Sequence, residues 1–431
     1  MSQTRMVSYI LLAVLLLLLL SLPLPGWAQD GKPGSAALDA QAYQISWVQV
    51  TNNSVIDQAP SIAYNSVRRE YLVVWQRSLG GGSWGIFARR LSNTGNLLGG
   101  EITIDTSGVN WEAAVAYNSS NDQYLITYTY NSIGSPDYDV LAQLVSSSGT
   151  LLNGYIQVDI TGPTKQSYPE VAYNSINNEY LVVYQSEKSV GGALEIRGRR
   201  VSAAGSLLGG SMSIASLGKS RRRPDVAYNP SRNQYLVVYT YDYSTSDHDI
   251  YGRRVTNDLG WLGDELIVWD TARDQHGAKV ANAGDEYLVV WHDGNQTTVN
   301  DFDIVGRRVQ GNGSISSVAF NIAADGARNR FWPDVAFAPG RLYMVVWHVD
   351  DGGTTSWNTR GRRVIPGQDV AMGSEFPIDD TAYGQYNPAV ACGNNGACFV
   401  AEEDHYYTSM AEITVARVEP RREFVPLLRR W

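Results

Sequence analysis

Pro224-Asp-Val-Ala-Tyr-Asn229, a polar turn, Tyr235-Leu-Val-Val-Tyr239, a loop, and Asp249-Ile-Tyr-Gly-Arg-Arg-Val255 form the phrase that decides the fold. Versions of it recur along the chain, with the anchor position at Tyr64, Tyr117, Tyr173, Tyr228, Asn282, Phe337 and Cys392. The spacing between anchors is 53 to 56 residues. A period of this size, with four short strand patterns per repeat and no helical periodicity, predicts an all-β chain built as a seven-bladed β-propeller with four-stranded blades.

Within the fourth repeat, strands are expected over Asp225–Tyr228, Tyr235–Tyr239 and Asp249–Val255, and a Gly-containing turn leads to a weaker fourth strand. Tyr235–Tyr239 is apolar at every position rather than alternating, as a strand covered on both faces must be. The seventh repeat ends after its third strand, Glu412–Val418, while an extra strand pattern, Ile45–Thr51, precedes the first repeat. The simplest closure has Ile45–Thr51 complete the last blade, which removes an open edge.

The first 28 residues read as a signal peptide: Arg5, an apolar run from Tyr9 to Leu20, a Pro break, and Gly26-Trp27-Ala28 at the cleavage site. Residues 29–41 read as a flexible leader, 42–418 as the propeller, and 419–431 as a basic tail with four Arg and two Glu. Export to an extracellular or periplasmic place follows, cell-surface association included, with no integral membrane segment once the signal is cleaved. The chain of 431 residues carries a formal charge of −9, or −10 once Arg5 leaves with the signal. An acidic body lacks the basic stripe a nucleic-acid partner requires.

The two cysteines, Cys392 and Cys398, stand where other repeats carry Tyr64/Tyr71, Tyr117/Tyr124, Tyr173/Tyr180 and Tyr228/Tyr235. Those pairs face each other across a hairpin, so a structural disulfide is expected in their place. The repeated Arg pairs, such as Arg89-Arg90 and Arg199-Arg200, are expected to hold neighbouring blades together through acidic or backbone groups. The Asp-x-Asp pairs at Asp137/Asp139, Asp247/Asp249 and Asp301/Asp303 lack the oxygen-rich loop that calcium needs. They read as loop ends with an Arg partner.

Candidate binding residues come from what the repeats vary. The segments leading into the first strands place Trp111, Tyr168, Arg223, His276, Trp332 and Tyr386 around the mouth of the central channel. Aromatic faces beside planar polar groups suit sugar rings, and variable segments on a rigid scaffold are where ligands bind. Packing between blades is the competing reading of the same side chains. His276, His292, His348 and His405 fall on the loop face near acidic residues, which are ingredients of an acid–base pair or a metal site. No ligand spacing joins them, so neither a metal nor a cofactor is assigned. No Gly-x-Ser-x-Gly, His-Glu-x-x-His, phosphate-loop, dinucleotide or sialidase-type box is present.

The phrase from Pro224 to Val255 resembles the repeats of TolB-like propellers in secreted bacterial proteins, over about residues 42–418. The Arg-Arg-Val ending and the longer repeat depart from that pattern. The resemblance implies the propeller fold and export. Such repeats occur in periplasmic interaction modules, peptidase accessory domains and some polysaccharide lyases, and no catalytic motif maps onto this chain. The leading expectation is a non-enzymatic module binding a glycan or an extracellular protein on its variable loop face. The alternatives are a polysaccharide lyase or glycoside hydrolase using His and acidic residues at the channel mouth, and a structural envelope component.

Overall fold

The computed structural model describes residues 43–294, 302–340, 342–352, 357–381, 383–407 and 410–420. The expected signal peptide, the leader, and the tail beyond Pro420 lie outside the described residues.

Among the described residues every regular element is a β-strand, and among them no helix is long and apolar enough to cross a membrane. The fourth repeat shows the plan. Arg221–Asn229, Gln234–Asp242, His248–Thr256 and Leu266–Trp269 pair antiparallel in chain order. The strands run a few residues beyond the expected ones because the ladder continues into the flanking loops. Tyr228 pairs Tyr235 across the first turn, and Val237 pairs Arg253.

The continuous apolar run of the second strand is explained by its two covered faces. Tyr235, Val237 and Tyr239 pack on Leu181, Val183 and Ile196 of the preceding repeat. Leu236 and Val238, alternating with them, pack on Tyr287, Val289 and Trp291 of the following one. All five positions are fully buried. Each such side chain contributes about 1.5–3 kcal/mol by leaving water.

The first strands of successive repeats touch one another in order, and that of the last repeat, Gly384–Cys392, touches that of the first, Asp57–Asn65. The two ends of the described chain meet. Tyr43–Gln49 pairs antiparallel with Met410–Pro420, from Tyr43 opposite Pro420 to Gln49 opposite Thr414. This strand lies two residues N-terminal of the expected Ile45–Thr51. Cys392 and Cys398 are joined by a disulfide at the directly opposed position of their hairpin.

The Arg pairs act as staples in two directions. Arg89 and Arg199 donate backwards, to the Val50 carbonyl at 2.8 Å and the Val158 carbonyl at 2.9 Å. Arg90 and Arg254 donate forwards, to the Ser148 carbonyl at 2.8 Å and the Gly311 carbonyl at 2.9 Å. At the opposite end, Asn65, Asn118 and Asn174 each reach the turn of the next repeat, bonding Asp122, Asn178 and Asn233 at 2.9–3.0 Å.

The Asp-x-Asp pairs depart from expectation. Asp303 lies 3.7 Å from the buried Arg330, but Asp139 and Asp249 meet other carboxylates instead of an Arg. Burial, with Asp137 and Asp159 nearby, pushes Asp139 up to about 6. Burial, with Asp270 and Asp247 nearby, pushes Asp249 up to about 7.

Candidate functional site in the central cavity

Each first strand carries a bulge at the same place, seen as a register shift such as Ser167/Glu170 or Arg222/Asp225. The residue at the bulge has positive φ: Ala59, Glu112, Tyr168, Arg223, Gly277, Trp332 and Asn387, at 47° to 63°. For the six that are not glycine this conformation costs about 1–2 kcal/mol each. The neighbouring repeat offsets that cost by accepting the strained residue's N–H. Glu112 donates to Gln76 at 2.9 Å, Arg223 to Gln185 at 3.0 Å, and Ala59 to Glu403 at 2.7 Å. Trp332 donates to His292 Nδ1 at 3.4 Å and Asn387 to His348 Nδ1 at 3.2 Å.

The bulges turn alternate side chains into one cavity of about 680 Å³, lined by residues from the first strand of every repeat. At one level stand Glu112, Tyr168, Arg223 and Trp332. The Arg223 guanidinium lies over both rings, 4.3 Å from the Trp332 centroid and 5.0 Å from that of Tyr168. Glu112 accepts the Tyr168 N–H and the Thr129 hydroxyl, both at 2.9 Å, yet burial holds its carboxyl above the usual range. Trp111 also lines the cavity and meets Tyr138 edge-on at 5.2 Å.

Deeper in are Glu170, Asp225, Lys279 and Asp334. The Lys279 ammonium bonds Glu170 and lies 3.8 Å from Asp225, and 31 % of its side chain is open to the cavity. Asp225 and Asp334 each accept a backbone N–H from the next repeat, of Val280 and Val390, at 2.7 Å. Burial pushes Asp225 up to about 7 against the pull of Lys279, and raises Asp334 as well. The carboxylates around it hold Lys279 firmly charged despite its burial. Three acids sharing one cation leave a cavity able to take a proton or a cationic or hydroxyl-rich ligand.

Of the side chains singled out in the sequence, Trp111, Tyr168, Arg223 and Trp332 line the cavity. His276 and Tyr386 do not. Each precedes its bulge by one residue, the place Trp111 holds in its own strand, and the two rings pack on other side chains. His276 meets His248 at 4.2 Å between ring centroids, and Tyr386 meets His405 edge-on at 4.8 Å. The four histidines considered together therefore divide. His292 and His348 serve as backbone acceptors, and burial depresses both, His348 to about 3.

The charged inner level was missed, although a signal existed. It occupies the open slot of the Pro-x-Val-Ala phrase, which reads Ser61, Ala114, Glu170, Asp225, Lys279, Asp334 and Ala389. A variable residue inside an otherwise repeated strand, charged in the third to sixth repeats, marks the cavity wall.

No family model and no curated protein matches the chain, so the likeness to TolB-like repeats rests on the quoted phrase. Among solved structures, a protein of unknown function from Dyadobacter fermentans is similar at TM-score 0.55 and 11 % identity. The likeness covers 88 % of this chain and all of that one, and shows a shared fold. An α-L-arabinofuranosidase of Fusarium graminearum, bound to arabinobiose, aligns at TM-score 0.48 and 11 % identity over 87 % of this chain and 97 % of its own. The β-propeller domain of the Trilobed protease from Pyrococcus furiosus aligns at 0.48 and 9 %, over 84 % and 95 %. Likenesses this distant transfer no activity. The four-stranded antiparallel repeats and the ordered contacts between their first strands make the chain an all-β protein of β-propeller type.

Proposed function

We propose that the chain is an exported seven-bladed β-propeller, closed by Tyr43–Gln49, that binds a glycan at its central cavity without transforming it. Support for the closed ring comes from the pairing of Tyr43–Gln49 with Met410–Pro420 and from the contact of the last first strand with the first. Export rests on the expected signal peptide and agrees with the disulfide. The observation that carries the binding reading is the cavity of about 680 Å³, to which every repeat contributes. Its walls alternate aromatic rings with fixed polar groups, the combination that holds sugar rings by stacking and hydrogen bonding.

One ring face is already taken, since Arg223 covers Trp332 and Tyr168. Trp332, at a bulge in the cavity wall, is the stacking platform of this reading. A glycoside hydrolase remains the second reading, favoured by Asp225, a cavity carboxyl pushed up to about 7 and so suited to donate a proton. The deciding experiment is retention and chain-length analysis of immobilised polysaccharides with the mature protein. Retention without shortening, lost in Trp332→Ala, is the expected result. Polymer shortening that disappears in Asp225→Asn would establish the hydrolase instead, and silence on every glycan would sink both.

A further inference from the structure

The fifth histidine, His248, stands apart from the cavity at the start of the third strand of the fourth repeat. There it forms a single parallel pair with Asp274, the first residue of the next repeat's first strand. Two residues on, His276 shares the same side of that strand as Asp274. The result is convergence on one atom. Asp274 Oδ1 lies 2.6 Å from His248 Nδ1 and 2.8 Å from His276 Nε2. All three potential ligand atoms fall within 4.8 Å of one another.

We propose that His248, Asp274 and His276 form a binding site for one divalent transition-metal ion. Two imidazole nitrogens and one carboxylate oxygen suit zinc, iron or nickel, and are a poor set for calcium or magnesium, which seek oxygen. The ion takes the place of the two contacts to Asp274, each neutral imidazole carrying its proton on the nitrogen that faces away, with no change in the fold's topology. Burial orders the ligands, since His248 is 7 % and Asp274 2 % exposed. The second nitrogen of His248 faces a further carboxylate, with Nε2 3.7 Å from Asp242 Oδ1. A carboxylate behind a ligating imidazole fixes its tautomer and strengthens it as a donor.

Of the three ligands, His248 lines a groove of about 400 Å³, beside Lys219, Arg222, Asp242 and Tyr243. Three protein ligands leave coordination positions for water or a small ligand. The site is separate from the cavity, because Gly277 lines the cavity while the adjacent His276 points the other way. It therefore stands or falls independently of glycan binding.

The test uses tag-free mature protein stripped with chelator, then titrated with zinc by calorimetry and with cobalt by visible absorption. One ion per chain is expected, with cobalt bands of mixed nitrogen and oxygen coordination. Binding should vanish in His276→Ala and Asp274→Asn, weaken roughly 10- to 100-fold in Asp242→Asn, and persist unchanged in His405→Ala. Binding that is absent from the wild type, or that survives His276→Ala undiminished, overturns the proposal. Should the variants fail to fold, nitrogen-15 histidine spectra of the wild type decide. The chain has 5 histidines, and zinc must shift those of His248 and His276; a shift at His405 alone, or none, overturns it.

Discussion

His348 Nδ1 accepts the backbone N–H of Asn387 across a boundary between repeats at 3.2 Å. Its counterpart His292 does the same for Trp332 at 3.4 Å. In three other repeats Gln76, Gln185 and Glu403 fill this role. These histidines are thus neutral acceptors that hold a strained bulge, and an imidazolium could not accept at that nitrogen.

A pH dependence follows. His348 keeps its neutral form in the native state down to about pH 3, whereas the unfolded chain protonates it near 6.5. Its contribution is present in full above about pH 6.5 and is lost as pH falls toward 3, at up to about 1.4 kcal/mol per pH unit. His348→Gln should keep the acceptor and flatten the fall in denaturation midpoint between pH 7 and pH 4. His348→Ala should cost about 1–3 kcal/mol at pH 7 by orphaning the Asn387 N–H.

Asp139 titrates in the opposite sense. Its carboxyl is pushed up to about 6 by burial and by Asp137 and Asp159. Stability from this group is complete below its unfolded value near 3.9 and is lost as pH rises through about 6. Asp139→Asn should therefore stabilise at pH 7.5, on the order of 1 kcal/mol, and show no gain at pH 4. Thermal melts at the two pH values check it.

Arg199 ties its repeat to the Val158 carbonyl at 2.9 Å and to the Gly209 carbonyl at 3.3 Å with two different nitrogens. Arg199→Lys keeps the charge and loses the fork. A loss of about 1–2 kcal/mol in chemical denaturation is expected. An unchanged midpoint would mean that the staple contributes nothing.

Cys392 and Cys398 close a short loop, with a sequence separation of 6. Loop-closure entropy for so small a ring gives about 2 kcal/mol. Cys392→Ala with Cys398→Ala should lower the unfolding midpoint accordingly, and reductant should destabilise the wild type but leave the double variant unmoved.

The sequence carried much of the architecture because the repeats share one local code. An apolar run such as Tyr235–Tyr239 fixes a doubly covered strand, and the Tyr pairs fix the hairpins where Cys392 and Cys398 form their bridge. The roles of the Arg pairs followed from Arg chemistry alone. Trp111, Tyr168, Arg223 and Trp332 line the cavity, while His276 and Tyr386 pack on other side chains, a difference that the pattern of the repeat does not record.

What the sequence by itself determined is the repeating unit: strand order, the faces each strand buries, and the hairpin that the cysteines bridge. Those depend on neighbours within a repeat, whose period is written in side-chain type. Only the tertiary structure decided which side chains share a space. The bulge at Arg223 or Asn387 switches which residue faces inward. Contacts such as Lys279 with Glu170, or His248 with Asp274, join different repeats across distances along the chain that no local pattern records.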